Sequence, residues 1–123
     1  MSEKEKLDRY FAGISVNSGF IQGETLLEMM EEKEDFLLFD LRQEEDFMEG
    51  HIEGATHLWW HEVGSHYPDF PRNKTIIFVC YTGQSAAQIT GALRVEGLQA
   101  YSLLGGIKNG WEYHGFPLVP FHH

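Results

Sequence analysis

The sequence predicts an α/β fold, a small parallel-stranded central sheet flanked by helices. Three observations lead there. The apolar runs FLLF at 36–39 and TIIFV at 75–79 are too short for buried helices and suit strands covered on both faces. Segments with helical spacing follow or precede them, LLEMM within 24–32 and AAQITGALRV at 86–95. Strand and helix therefore alternate, and neighbouring parallel strands need such crossovers.

Taken in order, EKEKLDRYF at 3–11 is a short helix with Leu7, Tyr10 and Phe11 on one side. Gly13 and the Asn17-Ser18-Gly19 run interrupt it, so residues 1–13 are read as an N-terminal extension and 14–123 as one domain. From 24 to 32, Leu26, Leu27, Met29 and Met30 sit among acids at helical spacing. The strand at 36–39 ends in Asp40, and 44–49 is a helical turn or two stopped by Gly50. A short strand is expected at 56–58, then a helical turn and a Pro-containing loop over 59–73. Residues 75–79, β-branched and apolar throughout, make the clearest strand. After Cys80 the period changes: Ala86, Ile89 and Leu93, with Ala92 and Val95, form one helical face, and Gly97 supplies the stop. Residues 100–104 are a further strand. Ile107 and Trp111, spaced i, i+4, mark a last helix closed by Gly115 and Pro117, with Trp111 in the core.

Charge and composition exclude whole classes of function. The 123 residues carry 19 Asp and Glu against 9 Lys and Arg, a formal net charge of -10 with no basic stripe, so a nucleic-acid partner is not expected. The acidic runs EEKED (31–35) and EED (44–46) read as solvated faces. No apolar run approaches the roughly 20 residues of a membrane span, so no membrane partner is expected. The opening MSEKEKLDRYF is charged with both signs and leads into no apolar stretch, which predicts a cytoplasmic location. Cys80 is the only cysteine; it forms no internal disulfide and in a reducing compartment stays a thiol.

That thiol stands where ligands bind in parallel sheets, beyond the carboxyl end of a strand and before a helix N-terminus. The loop CYTGQS (80–85) turns main-chain N–H groups inward, with Gly83 free to adopt the positive φ that such a nest needs. Those donors and the helix dipole favour a thiolate and would then hold a persulfide or an oxyanion. The hydroxyls of Thr82 and Ser85 and the amide of Gln84 are further donors. A buried structural thiol is the commoner fate of a free cysteine, but it would not require turn formers beside it.

Four segments in register carry a family resemblance. FDLRQEEDFMEGHIEGA (39–55), TIIFVCYTGQSA (75–86), LLGGIKNGW (103–111) and HGFPL (114–118) resemble, in order, the signature segments of the rhodanese-like family, over about residues 20 to 118. The resemblance implies a small parallel-sheet fold and sulfur transfer. A sulfane sulfur would pass from thiosulfate or a persulfide onto Cys80, and from there to a thiophilic acceptor, with no cofactor. Tyr81, Thr82, Gly83, Gln84 and Ser85 would cradle the substrate sulfur, with Asp40 and Arg42 supporting the site as an ion pair or as partners of loop backbone. The partners implied are a small-molecule or protein sulfur donor and acceptor, with the chain a monomer or a homodimer; Trp59-Trp60 is a candidate contact patch.

Two departures refine this. Members that prefer thiosulfate often carry Arg at the second and sixth loop positions, where this chain has Tyr81 and Ser85. The family's phosphatase relatives need an arginine six residues after the cysteine, and here that residue is Ala86, which excludes phosphatase and arsenate-reductase chemistry. A non-catalytic binding module and a thiol redox sensor at Cys80 are the alternatives. His51 is read as a turn anchor. His57 and His61, with Glu62, His66 and Asp69 nearby, make no recognised ligand pattern, so no metal is expected. His122 and His123 are read as a tag remnant or a frayed end.

Overall fold

In the computed structural model, which describes residues 1–14 and 19–121, the two apolar runs lie side by side at the centre of a parallel sheet. Asn17, Ser18, His122 and His123 lie outside the described residues. The strands are β1 (Phe20–Ile21), β2 (Phe36–Asp40), β3 (Thr56–His57), β4 (Thr75–Val79) and β5 (Gln99–Leu103), in the order β1-β5-β4-β2-β3. Every pairing among them is parallel, and β2 and β4 match residue for residue from Phe36 with Thr75 to Asp40 with Val79. The helices are α1 (Glu3–Ile14), α2 (Gly23–Glu31), α3 (Glu44–Glu49), α4 (Val63–His66), α5 (Gln84–Val95) and α6 (Gly106–Gly110).

The two-residue period of β4 explains its apolar run from Ile76 to Val79. Ile76 and Phe78 point to one face, where they meet Leu41, Leu58, Val63 and the α5 residues Ala86 and Leu93. Ile77 and Val79 point to the other, against Leu26 of α2, Ile107 of α6 and Trp111. All four are fully buried, each contributing about 1.5–3 kcal/mol of transfer free energy. Trp111 is also fully buried, and its indole N–H donates to the Pro117 carbonyl at 2.8 Å.

Several details differ from the sequence reading. The edge strand β1 was not foreseen; two residues, Phe20 and Ile21, pair with Ser102 and Leu103 of β5. α1 continues through Gly13 to Ile14, since a helix accepts a glycine at a cost of about 1 kcal/mol. It lies against α5, where Arg9 Nη2 donates to the Val95 carbonyl at 2.9 Å and Lys6 Nζ to Glu96 Oε2 at 2.9 Å. On α5 the buried stripe is Ala86, Thr90 and Leu93 with Ile89 half-buried; Ala92 faces solvent, one residue round the helix from Leu93. α6 ends at Gly110, so Trp111 follows the helix instead of closing it, and a 3-10 turn, Glu112–His114, leads to Gly115 at φ +78°.

Candidate active site

β4 ends at Val79, and Cys80 is the next residue, at the carboxyl edge of the sheet. Its thiol is buried, and Sγ accepts two main-chain hydrogen bonds, from the amide of Gly83 at 3.2 Å and from that of Ala86 at 3.4 Å. Gly83 caps α5 at φ +100°, a left-handed conformation that lets the chain curl around the sulfur. α5 therefore begins with its unpaired first-turn N–H groups and positive dipole end directed at the loop. The donors on Sγ are backbone; no side chain of Thr82, Gln84 or Ser85 bonds to it among the described residues.

A second helix start holds the loop from the other side. The amides of Ile107 and Lys108 donate to the carbonyls of Cys80 and Tyr81 at 2.8 and 3.0 Å. Gly106 lies at the contact with φ +67°, and a Cβ there would stand 2.6 Å from the Tyr81 oxygen and 2.7 Å from the amide nitrogens of Thr82 and Gly83. The loop thus has the shape that Gly83 and Gly106 together permit, with its carbonyls satisfied by α6 and its amides turned toward the sulfur.

Tyr81 leaves the loop outward. Its hydroxyl donates to Asp46 Oδ2 on α3 and accepts from the Gln43 amide at 3.4 Å, while the Arg42 guanidinium carbon lies 5.9 Å from its ring centre. The Tyr81 phenol is pushed above its ordinary pKa, first by burial and then by the Asp46 carboxylate, against the smaller opposing effects of the Gln43 amide and Arg42. Tyr81 is thus a neutral donor near pH 7.

Asp40 and Arg42 form a buried fork. Arg42 Nε lies 3.1 and 3.2 Å from the two Asp40 oxygens, Nη2 lies 2.9 Å from Oδ2, and the Arg42 amide donates to Oδ1 at 3.0 Å. The guanidinium also donates to the Gly50 carbonyl at 2.6 Å, and His57 Nε2 is 2.6 Å from the Arg42 carbonyl. Both charges are therefore used within the loop after β2. His51 Nδ1 lies 2.9 Å from the Phe47 carbonyl, its ring stacks on Phe47, and its backbone pairs with Val119.

Beside Tyr81, a hollow of about 320 Å³ is lined by Gln43, Glu44, Glu45, His57, Trp59 and Glu62. Its wall carries three carboxylates. Trp60 is half exposed, and the His61 ring stacks on it at 3.7 Å, while Trp59 is half-buried. Among the described residues, no three His, Cys, Asp or Glu side chains are grouped to hold a metal ion. None of the described helices is long and apolar enough to cross a membrane.

Sequence reasoning missed the Ala86 amide, the backing role of Gly106 and the Tyr81–Asp46 bond. Only Gly106 left a signal, as half of the Gly-Gly pair in LLGGIKNGW.

The chain is similar to known proteins over most of its length. The family model described as Rhodanese-like domain matches residues 23–113. A protein of Allochromatium vinosum named sulfurtransferase is 29% identical over 100 residues, covering 80% of this chain and 92% of its own length. The thiosulfate sulfurtransferase GlpE of Actinobacillus succinogenes is 31% identical over 90 residues, with coverages of 72% and 80%. In structure, the chain resembles a rhodanese-related protein from Thermoplasma volcanium with a TM-score of 0.73, at 23% identity, over 81% of this chain and 96% of that one.

Proposed function

The chain belongs to the rhodanese-like domain family, and on that premise we propose that it is a sulfurtransferase working through a persulfide on Cys80. The observation that carries this reading is the Cys80 sulfur with two main-chain N–H donors aimed at it. Donors fixed by the backbone need no rearrangement as negative charge builds on sulfur. The curated relatives named as sulfurtransferases support the reaction class.

In the first half-reaction, the Cys80 thiolate attacks the sulfane sulfur of the donor. An Sγ–S bond forms, the donor's own bond to that sulfur breaks, and its electron pair leaves with sulfite or with a thiolate. In the second, an acceptor thiolate or cyanide attacks the terminal sulfur, the Sγ–S bond breaks, and Cys80 leaves as thiolate. No outside oxidant or reductant is required. One difficult transfer becomes two exchanges at a single activated atom. The terminal sulfur would be held by loop amides between Tyr81 and Ser85, and with no second cysteine in the chain it must pass to an external nucleophile. Asp40 and Arg42 support the site by fixing the loop that carries Gln43 toward Tyr81.

The donor is a persulfide of low charge, free or on a partner protein, in preference to thiosulfate. Thiosulfate is a dianion, and the loop has Tyr81 and Ser85 where a guanidinium clamp would stand. Asp46 on the Tyr81 hydroxyl and the carboxylates of Glu44, Glu45 and Glu62 nearby add repulsion. The location that fits this chemistry is cytoplasmic, where thiols stay reduced.

The test is turnover with cyanide as acceptor, following thiocyanate, with thiosulfate and a small alkyl persulfide of lower charge compared as donors. The reading expects faster thiocyanate formation from the persulfide, and in Cys80→Ser no rate above that of persulfide and cyanide without protein. Thiocyanate at equal rates from wild type and Cys80→Ser would overturn it.

A further inference from the structure

Three of the four arginines in the chain gather at the end of α5 remote from Cys80, where that helix gives way to β5. Twelve residues of helix separate the two ends, about 18 Å. Arg9 of α1 donates to the Val95 carbonyl at 2.9 Å, Arg72 to that of Glu96 at 2.5 Å, and Arg94 to that of Ala100 at 2.8 Å. Each of these contacts occupies one of the five N–H groups that a guanidinium offers.

The cationic charge exceeds what the helix end requires. A Cβ built on Gly97, at φ +90°, would lie 3.1 Å from Arg72 Nη1 and 3.4 Å from Arg9 Nη2, so two guanidiniums converge over one glycine. Among the described residues, none of the three arginines pairs with a carboxylate; the nearby Glu96 is engaged by Lys6 at 2.9 Å. A helix C-terminus offers only about half a negative charge. In a chain of net charge -10, this is a local surplus of positive charge with no carboxylate paired to it among the described residues.

That surplus borders a hollow of about 350 Å³ between α1, α5 and β5. Arg9 and Arg94 line it together with Tyr10, Leu98, Gln99 and Tyr101, and the Arg94 guanidinium carbon lies 5.2 Å from the Tyr101 ring centre. Cations stand beside apolar and aromatic walls. A phosphate dianion accepts paired hydrogen bonds from guanidiniums and matches two of them in charge, where a carboxylate monoanion matches one.

We propose that this hollow binds a small phosphate monoester, the phosphate held by Arg9 beside Gly97 with Arg72 and Arg94 adding charge, and the organic part lying against Tyr10, Leu98 and Tyr101. The site is independent of sulfur transfer at Cys80.

The experiment is a titration of the full chain followed by backbone amide NMR, with phenyl phosphate as the probe and inorganic phosphate and benzoate as comparisons. Phenyl phosphate is expected to shift the amides of Gly97, Leu98 and Gln99 saturably and to bind more tightly than either comparison. Arg9→Gln should weaken it about tenfold and Arg94→Gln by less. Arg9 lies on the exposed side of α1, and unshifted amides elsewhere would show that its variant keeps the fold. The proposal is overturned if those amides do not move saturably, if the shifts centre on Gly83 instead, if benzoate binds as tightly, or if Arg9→Gln binds like the wild type.

Discussion

Gly106 lies against Gly83 across the Cys80 loop, so close that a Cβ on Gly106 would stand 2.7 Å from the Gly83 amide nitrogen. That amide is also one of the two that donate to the Cys80 sulfur. The start of α6 therefore sets the position of a donor in the site, and the loop cannot move off one glycine without moving off the thiol.

Gly106→Ala is accordingly expected to damage the site. The added methyl meets the backbone of Tyr81, Thr82 and Gly83 at φ +67°, which no side-chain rotation relieves, and overpacking of this kind costs about 1–3 kcal/mol. If that cost falls on the loop geometry used in loading, sulfur loading of Cys80 should fall about fivefold or more, since about 1.4 kcal/mol corresponds to tenfold. Gly64→Ala is the control, because a Cβ there meets nothing within 4 Å and its φ is not positive. Loading rates and thermal midpoints of the two variants check this; equal loading by both would refute the role given to Gly106.

Asp40→Asn should destabilise the whole domain. Asp40 is fully buried and Arg42 nearly so, and removing one charge leaves the other without its partner in a desolvated position. Breaking a buried pair in this way costs about 3–5 kcal/mol. Denaturant melts at pH 7 measure it, with the larger loss expected for Asp40→Asn than for Lys4→Ala, whose pair with Asp8 is exposed.

Tyr81 makes a pH prediction whose sign follows from its raised pKa. The folded chain holds the phenolic proton to higher pH than the unfolded chain does, so the stabilisation is fully present below the ordinary tyrosine pKa of about 10. It is lost as pH rises through the folded value. In a phenolate absorbance titration, subtracting Tyr81→Phe from wild type should isolate a group titrating above the ordinary value. Asp46→Asn should move that group down, because the carboxylate is the second cause of the shift.

What the sequence made legible were the features written in local pattern. β4 could be read from TIIFV because burial on both faces demands apolar residues in succession, as from Ile76 to Val79. The Cys80 loop could be read because a strand, a glycine and a helical period meet at the only cysteine. β1 could not, since two residues carry no period and exist as a strand only by pairing with β5. The Tyr81–Asp46 bond joins residues 35 apart, with no local sign of either in the other. The Ala86 donor is a backbone group, for which side-chain identity is silent. Thr90 sits on the buried face of α5 where an apolar residue would have been expected, while Ala92 does not.

The central claim is that Cys80 carries the transferred sulfur. It is tested most directly by the intact mass of the protein after brief exposure to an alkyl persulfide, before and after cyanide. The account predicts a gain of one sulfur atom that cyanide removes as thiocyanate and that Cys80→Ser never acquires. A folded, reduced wild-type protein that gains no sulfur from this donor, from thiosulfate or from a persulfide-loaded cysteine desulfurase would contradict it.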